Sequence, residues 1–498
     1  MRQLPRQLLF RSPFKGDVAT SRVWITRPES RNDTLPFPHP WNYHQPLEIL
    51  DTFFSKADDQ VGSAKHNRFL EIPFCSAVLI SREPSVIRAI LTATGDKEGQ
   101  FDRDAMPATG IARATGADTL LFSNGPSWRR QRKASASPFG KNSLYQPEIF
   151  QEFAATFRKT ILERMQALHR LLADSGEDSI TIPLEPEIKA VMLELLVNNF
   201  FGADLEYTQL REKYIPAIDR IIEHIVRDTV HRRFSMNPLK KLLTSRRDRQ
   251  LRADFEAFEE LTDLAIEPRH RNRGAWVRLS DAISDESVRS NVKVFLAGAL
   301  EATTSYATWA ISHLARDSEA QEQVFQEVSS ISEFSPDVFE QVPYLSSVLK
   351  ETLRLTPSLY FLPRRAQQNI WITLHDGRRM YLPKGTHILL DVWHANRLEE
   401  FWGVEATRYK ADVFAPERWA HIEATGAVSK DFLHFGFGHG ARVCPGKHLG
   451  ELEIALVVGA ICKLFVFKAV HQSNPVKAGV STKPMDGTLV ELWPRTAR

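Results

Sequence analysis

The sequence predicts a mainly α-helical protein with a minor β region. Apolar residues recur at spacings of three and four through most of residues 147–327, as they do on the buried face of a helix. Short segments typical of β-strands are confined to residues 69–81 and 370–390, where turn residues flank them. No linker-like stretch divides the chain, so these parts are expected to form one unit.

The first 45 residues are predicted to form an N-terminal arm without a transmembrane anchor. Arginine is frequent and acidic residues are rare at its start, which is typical of a mitochondrial transit segment or of a solvated arm. Pro5 and Pro13 interrupt any amphipathic helix and favour the solvated arm. The best apolar run, residues 454–467, is shorter than the about 20 residues of a membrane-spanning helix. We therefore expect a cytoplasmic or peripherally membrane-associated protein.

The remaining elements follow from periodicity and from proline and glycine positions. Residues 69–81 are predicted to form a strand, a turn and a second strand, and Pro84 to open a short helix. Further helices are predicted over residues 150–165, 189–201, 210–227, 284–316, 345–355 and 449–464, with a break or kink at Pro216 and an interruption at Gly298. Late strands are predicted over residues 370–374, 379–382 and 387–390.

Charge and cysteine content exclude several classes of protein. The 64 basic and 61 acidic residues give a net charge of +3, which offers no basis for nucleic-acid binding. The three cysteines, Cys75, Cys444 and Cys462, lie far apart and have neither the spacing of a zinc site nor that of a disulfide framework. This content fits a reducing compartment and leaves one cysteine free to act as a thiolate.

Residues 437–446, with the sequence FGHGARVCPG, are the most informative segment. The glycines allow tight turns and the close approach of a planar ligand. Cys444 precedes a long apolar helix, whose free amides and dipole favour a thiolate over a thiol. A thiolate is the form in which cysteine ligates haem iron, where it promotes cleavage of the O–O bond. An isolated cysteine is usually a small buried hydrophobe, and Cys75 and Cys462 keep that interpretation.

The segment matches the haem-binding signature F-G-x-G-x-R-x-C-x-G at every fixed position, and the chain resembles the cytochrome P450 family from about residue 47 onward. The resemblance implies the cytochrome P450 fold, with a single haem domain over residues 46–498 and haem b as the cofactor. It implies that Cys444 ligates the iron and that Phe437, Arg442 and Gly446 also bind the cofactor.

Two further sets of residues resemble family motifs. Trp128 and Arg132 match a W-x-x-x-R element that binds a haem propionate, and Arg364 matches a second propionate-binding arginine. Arginine suits this role because its planar guanidinium pairs with a carboxylate through two hydrogen bonds. The resemblance also implies a structural ion-pair group, formed by Glu351, Arg354 and Arg418.

The long helix departs from the family pattern where oxygen activation is expected. With Trp309 as the anchor, Glu301 occupies the position of the acid, but Ala302 stands where the first threonine belongs. A one-residue insertion with a π-bulge would bring Thr303 into the pocket. Alternatively, the site lacks its hydroxyl, and Thr303 only bonds back to its own helix. We interpret Glu301 and Thr303 as the candidate catalytic residues.

The resemblance implies a monooxygenase that hydroxylates or epoxidises a small apolar substrate of secondary-metabolite, terpenoid or lipid type. The alternatives are a non-oxygenating enzyme on the same haem and a haem-based sensor. Electrons are expected from a separate NAD(P)H-dependent reductase or ferredoxin, which would dock on a basic rim. Substrate contacts are expected from residues 101–121, 218–230 and 357–362. The rim comprises Arg129, Arg130, Lys133 and Lys447, and Tyr360 and Phe361 are candidates either for the pocket lining or for the core.

Overall fold

Helices dominate the structure, a computed structural model that describes residues 7–10, 23–26, 47, 54, 65–71, 78–95, 99–104, 109–231, 246–267, 285–331, 335–426 and 436–495. The helices in this part of the chain are α1 (Pro84–Thr92), α2 (Thr109–Thr115), α3 (Gly125–Phe139), α4 (Lys141–Leu144), α5 (Pro147–Ser175), α6 (Glu185–Glu194), α7 (Tyr207–Gln209), α8 (Ile215–His231), α9 (Arg246–Ile266), α10 (Asp285–Val294), α11 (Leu300–Leu314), α12 (Ser318–Ser329), α13 (Val338–Gln341), α14 (Pro343–Leu355), α15 (Val392–Ala395), α16 (Glu399–Trp402), α17 (Val404–Thr407), α18 (Glu417–Thr425) and α19 (Lys447–Leu464).

Three π-helical segments in the described residues extend or join these helices. Leu195–Phe200 extends α6, Leu210–Tyr214 joins α7 to α8, and Phe295–Ala299 joins α10 to α11. The predicted helix over residues 284–316 is therefore present as one long rod with a π segment at the predicted interruption, Gly298. Pro216 is the second residue of α8, directly after the second π segment, and the helix continues through it. Because proline has no N–H, one backbone hydrogen bond of this continuous helix is absent at Pro216.

The strands form one large and three small sheets. They are β1 (Gln7–Phe10), β2 (Val23–Thr26), β3 (Asn67–Glu71), β4 (Val78–Ser81), β5 (Phe101–Arg103), β6 (Ile180–Pro183), β7 (Phe361–Ala366), β8 (Ile370–Thr373), β9 (Arg379–Leu382), β10 (His387–Asp391), β11 (Phe465–Ala469), β12 (Val476–Ala478), β13 (Thr482–Pro484) and β14 (Leu489–Pro494).

The seven-stranded sheet has the order β2-β1-β3-β4-β10-β7-β5, with β4 and β10 parallel and the other pairs antiparallel. The strands on both sides of the predicted turn in residues 69–81 pair as predicted, and Cys75 lies outside the described residues. Two strands, β1 and β2, fall within the predicted N-terminal arm and extend this sheet.

The C-terminal strands were not predicted. The apolar run of residues 454–467 suggested helix throughout, but β11 begins at Phe465 and pairs with β14, which in turn pairs with β6. In β11 the buried and exposed residues alternate, as in a strand with one covered face. Such a short strand is stabilised by partners that are distant in sequence, so its own residues are a weak signal.

The main core lies where α11 and α19 pack against each other and against α5, α6 and α14. In α19 every residue from 454 to 462 is buried, which is typical of a helix surrounded by protein on all sides. No helix in the described ranges combines the length and the hydropathy needed to cross a bilayer. The packing of α11 and α19 brings the two chemically informative segments of the sequence into the same part of the fold.

Candidate active site

Cys444 lies in a loop between a 3₁₀ turn, Gly440–Arg442, and the start of α19. Its amide donates a hydrogen bond to the carbonyl of Phe437 at 2.9 Å, which closes the loop. Gly440 has a φ of +70°, and a Cβ atom there would lie 2.5 Å from the carbonyl oxygen of Leu91. Glycine is therefore required where the loop crosses the end of α1.

Burial raises the pKa of the Cys444 thiol above its usual value. The Gly446 amide, which hydrogen bonds to the sulfur, and the charges of Arg132 and Arg103 act in the opposite direction. The start of α19, which was expected to favour the thiolate, thus contributes the Gly446 amide, but burial has the larger effect on the pKa of Cys444. A thiolate at this position needs additional positive charge, and a metal ion bound to the sulfur supplies it.

Arg442 and Trp128 form a stacked pair beside this loop. The guanidinium carbon of Arg442 lies 3.9 Å from the centre of the Trp128 ring. One terminal nitrogen, Nη2, donates to the Ser123 carbonyl at 2.8 Å and to Asn124 Oδ1 at 2.7 Å. The other two nitrogens, Nε and Nη1, are buried and have no hydrogen-bond acceptor in the structure. Unmade hydrogen bonds of a buried cation are costly, so this side of Arg442 suits an anionic ligand.

Arg364 and Arg103 add two more positive charges to the same place. They lie directly opposite each other on β7 and β5. Like charges in such a cross-strand pair destabilise the sheet. Burial and then the charges of Arg103 and Arg442 hold the pKa of Arg364 well below its usual value. Arg103 Nε also has no hydrogen-bond acceptor among the described residues.

Sequence reasoning missed Arg103. Its position opposite Arg364 depends on the pairing of β5 with β7, and these strands are more than 250 residues apart in the chain. Burial, and then the charge of Arg103, lower the pKa of Arg442 to about 9, with Asp102 acting in the opposite direction and Arg132 in the same direction. The four arginines therefore form a cationic cluster beside Cys444 that is only partly neutralised by the protein.

The long helix leaves open space beside its backbone at Gly298. Gly298 is exposed although Leu296 and Leu300 on either side are buried, and a Cβ atom on Gly298 would meet no atom within 4 Å. The same holds for a Cβ atom on Gly446 beside the cysteine. A planar group can approach the backbone closely at both glycines.

The sequence allows two alternatives for Thr303: a π-bulge that brings it into the pocket, and a hydroxyl bonded only to its own helix. The structure contains both a π segment and the bond to the helix. The π segment Phe295–Ala299 ends two residues before Glu301. The Thr303 hydroxyl donates to the Ala299 carbonyl at 3.0 Å. Its methyl group faces α19, since a Cβ atom on Gly450 would lie 3.9 Å from Thr303 Cγ2. Thr303 thus lies between the π segment and the helix that follows the cysteine, with its hydroxyl already engaged.

Glu301 is buried with an exposed fraction of 4 % and is bound by two lysines. Lys189 Nζ lies 2.7 Å from Glu301 Oε1, Lys483 Nζ lies 3.0 Å from Oε2, and Ser481 Oγ donates to Oε2 at 3.1 Å. Burial alone would raise the pKa of Glu301, but the lysine charges and hydrogen bonds outweigh it and lower the pKa to about 2. Sequence reasoning identified the acid but neither lysine.

Glu351, Arg354 and Arg418 come together in a fully buried ion-pair group on the side of α14. Arg354 donates to both carboxylate oxygens of Glu351 at 2.8 and 2.9 Å, and Arg418 Nε donates to Oε1 at 3.2 Å. Trp419 Nε1 donates to Oε2 at 3.1 Å. The remaining arginine donors bind backbone carbonyls, among them that of Asn396 at 2.7 Å. The group therefore fixes the segment between α15 and α18.

Tyr360 belongs to the protein core, one of its two predicted alternatives. Its ring packs in a small apolar cluster with Phe54 and Trp393, and its hydroxyl donates to the Gly479 carbonyl at 3.3 Å. Phe361 stands edge-on to it and is half-buried. The side chains of the predicted basic rim reach solvent: Arg129, Arg130 and Lys133 are exposed, and the Lys447 side chain is 41 % exposed.

A mainly helical fold with a half-buried cysteine loop, a cationic cluster beside it and an acid on the long helix defines the class of haem-thiolate oxidoreductases. The comparisons agree with this class. The family model described as cytochrome P450 matches residues 75–485 of the chain. The chain belongs to the cytochrome P450 family.

Three relatives illustrate the range of the similarity. The cytochrome P450 monooxygenase FSL4 of Gibberella zeae is 28 % identical over 51 % of this chain and 46 % of its own length. The cytochrome P450 monooxygenase ptmK of Penicillium ochrochloron is 29 % identical over 40 % of each chain. Human cytochrome P450 4F12 is 25 % identical over 85 % of this chain and 81 % of its own length. The matches to the two fungal relatives thus span less than half of those proteins.

Proposed function

We propose that this protein is a haem-thiolate monooxygenase that hydroxylates or epoxidises a small apolar substrate. It would bind haem b through Cys444 and take electrons from a separate NAD(P)H-dependent reductase or ferredoxin. The observation that carries the proposal is the cationic cluster beside Cys444. Its buried arginines repel one another, and three of their nitrogen atoms lack an acceptor. The two propionates of a haem would supply the missing charge and the missing acceptors.

The residues of the cluster would hold the propionates through charge-assisted hydrogen bonds. Arg442 would donate to one carboxylate from Nε and Nη1, which have no acceptor among the described residues. Trp128 stacks against the Arg442 guanidinium and fixes its orientation. Arg364 and Arg103 would reach the other carboxylate from their adjacent strands, and Arg132 extends the cluster toward the sulfur. When bound, haem supplies the iron that activates dioxygen, and the thiolate donates electron density to it.

Replacement of Arg103 by methionine is expected to weaken haem binding and to stabilise the protein without haem. A lost charge-assisted hydrogen bond costs about 1.5–3 kcal/mol, so the rate of haem transfer to an acceptor protein should rise by about tenfold or more. Thermal unfolding of the haem-free protein should occur at a higher temperature, because a repulsive charge has been removed opposite Arg364. Arg129→Met, at an exposed site on the basic rim, serves as the control.

A different outcome would reject the role of Arg103. If Arg103→Met lowered the stability of the haem-free protein and left haem transfer unchanged, Arg103 would be a structural residue. The control should leave both measurements near those of the unsubstituted protein.

On the long helix, Glu301 is the first candidate for proton transfer and Thr303 is the second. Glu301 lies two residues after the end of the π segment and is ionised at neutral pH. A carboxylate on the long helix would act in general acid–base catalysis by accepting a proton from water and passing it on. Thr303 would take part only by exchanging its bond to the Ala299 carbonyl for one to water.

We expect Glu301→Gln to lower the fraction of consumed NADPH that yields product, and to raise the fraction that yields hydrogen peroxide. General acid–base groups contribute about 100-fold or more, so the fall should reach at least about tenfold. Thr303→Val should give a smaller fall, since its hydroxyl is engaged within the helix. Unchanged coupling in both variants would remove both residues from the mechanism.

The substrate class is tested by optical titration of the ferric protein with chemically varied compounds. A low-spin to high-spin shift produced by apolar molecules would support the proposed substrate class. Shifts produced only by charged or strongly polar compounds would contradict it.

Ala302 and the engaged hydroxyl of Thr303 favour a second candidate function, a non-oxygenating reaction on the same haem. Turnover in isotopically heavy dioxygen distinguishes the two functions. A product that carries the heavy atom supports the monooxygenase. A product formed without it supports dehydration, rearrangement or oxidative coupling.

A further inference from the structure

The loop of residues 116–124 joins α2 to α3 and touches two parts of the candidate site. At its start Gly116 has a φ of +100°, and a Cβ atom there would lie 2.7 Å from Ser290 Oγ of α10. Near its end the Ser123 carbonyl accepts the hydrogen bond from Arg442 Nη2 at 2.8 Å. The loop is therefore in contact with the long helix at one end and with the cationic cluster at the other.

Asn291 of α10 is the centre of a buried network that holds this loop, and it is 1 % exposed. The Leu120 amide of the loop donates to Asn291 Oδ1 at 2.8 Å. Asn291 Nδ2 donates at 2.8 Å to Gln131 Oε1 of α3 and, within its own helix, to the Ser287 carbonyl. Both polar atoms of the Asn291 side chain thus have partners, which connect α10 to the loop and to α3.

Gln131 continues the network from α3 back to the loop. It is 3 % exposed, and its Nε2 donates to Asp118 Oδ1 at 3.0 Å and to Ser127 Oγ at 3.2 Å. A backbone amide can only donate a hydrogen bond, and an ionised carboxylate can only accept one. The direction of every hydrogen bond between the Leu120 amide and the Asp118 carboxylate is therefore fixed.

The path from Gln131 to Arg442 is short. Gln131 Nε2 donates to Ser123 Oγ at 3.4 Å. The Ser123 hydroxyl and amide both donate to the Thr119 carbonyl, at 2.6 and 2.8 Å, which closes the end of the loop. The carbonyl of the same serine then accepts the bond from Arg442. Gln131 also directly precedes Arg132, another member of the cationic cluster.

A network of this kind specifies geometry more than it adds stability. A neutral hydrogen bond adds little net stability, because the unfolded chain forms equivalent bonds to water, whereas a buried group without a partner is costly. Val288 and Val292 beside Asn291 are fully buried, so an apolar residue would also suit this face of α10. The two carboxamides are satisfied in the observed arrangement of the loop, which is also the one that places the Ser123 carbonyl on Arg442.

We propose that Asn291 and Gln131 are positioning residues for Arg442. They fix the loop so that the Ser123 carbonyl holds Nη2 of the guanidinium and leaves Nε and Nη1 for a haem propionate. The inference rests on the proposed haem site, in which Arg442 binds a propionate. Haem retention then depends on a residue of the long helix that lies outside the cationic cluster.

The first test is a mutant cycle that is measured by haem transfer from the loaded protein to an acceptor protein. Arg442→Met should raise the transfer rate by about tenfold or more, because charge-assisted hydrogen bonds are lost. Asn291→Leu should raise it by about threefold or more, because residues in one hydrogen-bond network are energetically coupled. The double variant should transfer haem about as fast as Arg442→Met alone, since the loop then has no guanidinium to hold. Gln131→Met breaks the same network from α3, and it keeps the test valid if Asn291→Leu fails to fold.

The second test measures the resonance Raman band of the haem propionates and the reduction potential of the iron. A guanidinium that no longer pairs with a propionate leaves more negative charge near the iron, which favours the ferric form. Arg442→Met should therefore shift the propionate band and lower the reduction potential. Asn291→Leu and Gln131→Met should move both quantities in the same directions by smaller amounts.

Gln321→Leu is the matched control. Gln321 of α12 is also a buried carboxamide, 3 % exposed, and its Nε2 donates to the Leu314 and Phe467 carbonyls at 3.2 and 2.8 Å. Its replacement should lower the midpoint of urea unfolding, as Asn291→Leu does, and leave haem transfer, the propionate band and the potential unchanged. A loss of stability is thereby separated from a loss of positioning.

The two possible failures are distinguishable. If Arg442→Met leaves haem transfer unchanged, the proposed propionate site is refuted, and the positioning inference is refuted with it. If Arg442→Met accelerates transfer but Asn291→Leu and Gln131→Met change neither transfer, band nor potential, the positioning inference alone is refuted. The same holds if the effect of Asn291→Leu adds in full to that of Arg442→Met in the double variant.

Discussion

Replacement of Cys444 by alanine is expected to abolish turnover and to leave the protein with little bound haem. The sulfur is held in a loop closed by the bond between the Cys444 amide and the Phe437 carbonyl, and alanine preserves that bond. The fold should therefore survive while the iron ligand is lost. The measurements are haem content per chain, far-ultraviolet circular dichroism and product formation with an added reductase.

Cys462→Ala is the matched control for this prediction. Cys462 is also a free cysteine, but it is fully buried near the end of α19 within the apolar core. Its replacement removes one sulfur atom from the core and should affect stability modestly, with haem content unchanged. If Cys444→Ala kept full haem content and turnover, Cys444 would not be the ligand.

The second large effect is expected for Glu351→Ala. This change leaves Arg354 and Arg418 buried without their carboxylate, and both have an exposed fraction of 0 %. Loss of one partner from a buried ion pair destabilises by about 3–5 kcal/mol, because the remaining charge has no compensation. We expect the midpoint of urea unfolding to fall accordingly and haem to be lost during purification.

Glu423→Ala provides the comparison on the same pair of helices. Glu423 of α18 binds Lys350 of α14 at 2.8 Å, but both side chains are exposed. An exposed ion pair contributes about 1 kcal/mol or less, so this variant should unfold close to the unsubstituted protein. Equal effects of the two changes would contradict the view that Glu351 organises a buried group.

Local signals were sufficient to predict the fold class and to select many of the residues of the candidate site. The periodicity of the long helix, the proline that ends α14 and the glycine pattern around Cys444 each act over a few residues. Trp128 and Arg442 were likewise identified from motifs of a few residues, although their stacking is a tertiary contact. Family resemblance then supplied an expected role for each residue of these motifs.

The residues that sequence reasoning missed depend on distant contacts. Arg103 gains its importance from Arg364 across two paired strands, and Lys189 and Lys483 gain theirs from Glu301. In the sequence these are ordinary basic residues, which are most often solvated. The C-terminal strands were missed for the same reason, since β14 is stabilised by pairing with β6.

The central claim is that Cys444 binds haem iron as a thiolate. The most direct test is the carbon monoxide difference spectrum of the reduced, haem-loaded protein, recorded beside that of Cys444→His. We predict the red-shifted Soret band of a thiolate ligand for the unsubstituted protein and its replacement by the band of an imidazole ligand in the variant. A thiolate band that persists in Cys444→His would contradict the claim, as would an imidazole-type band in the unsubstituted protein.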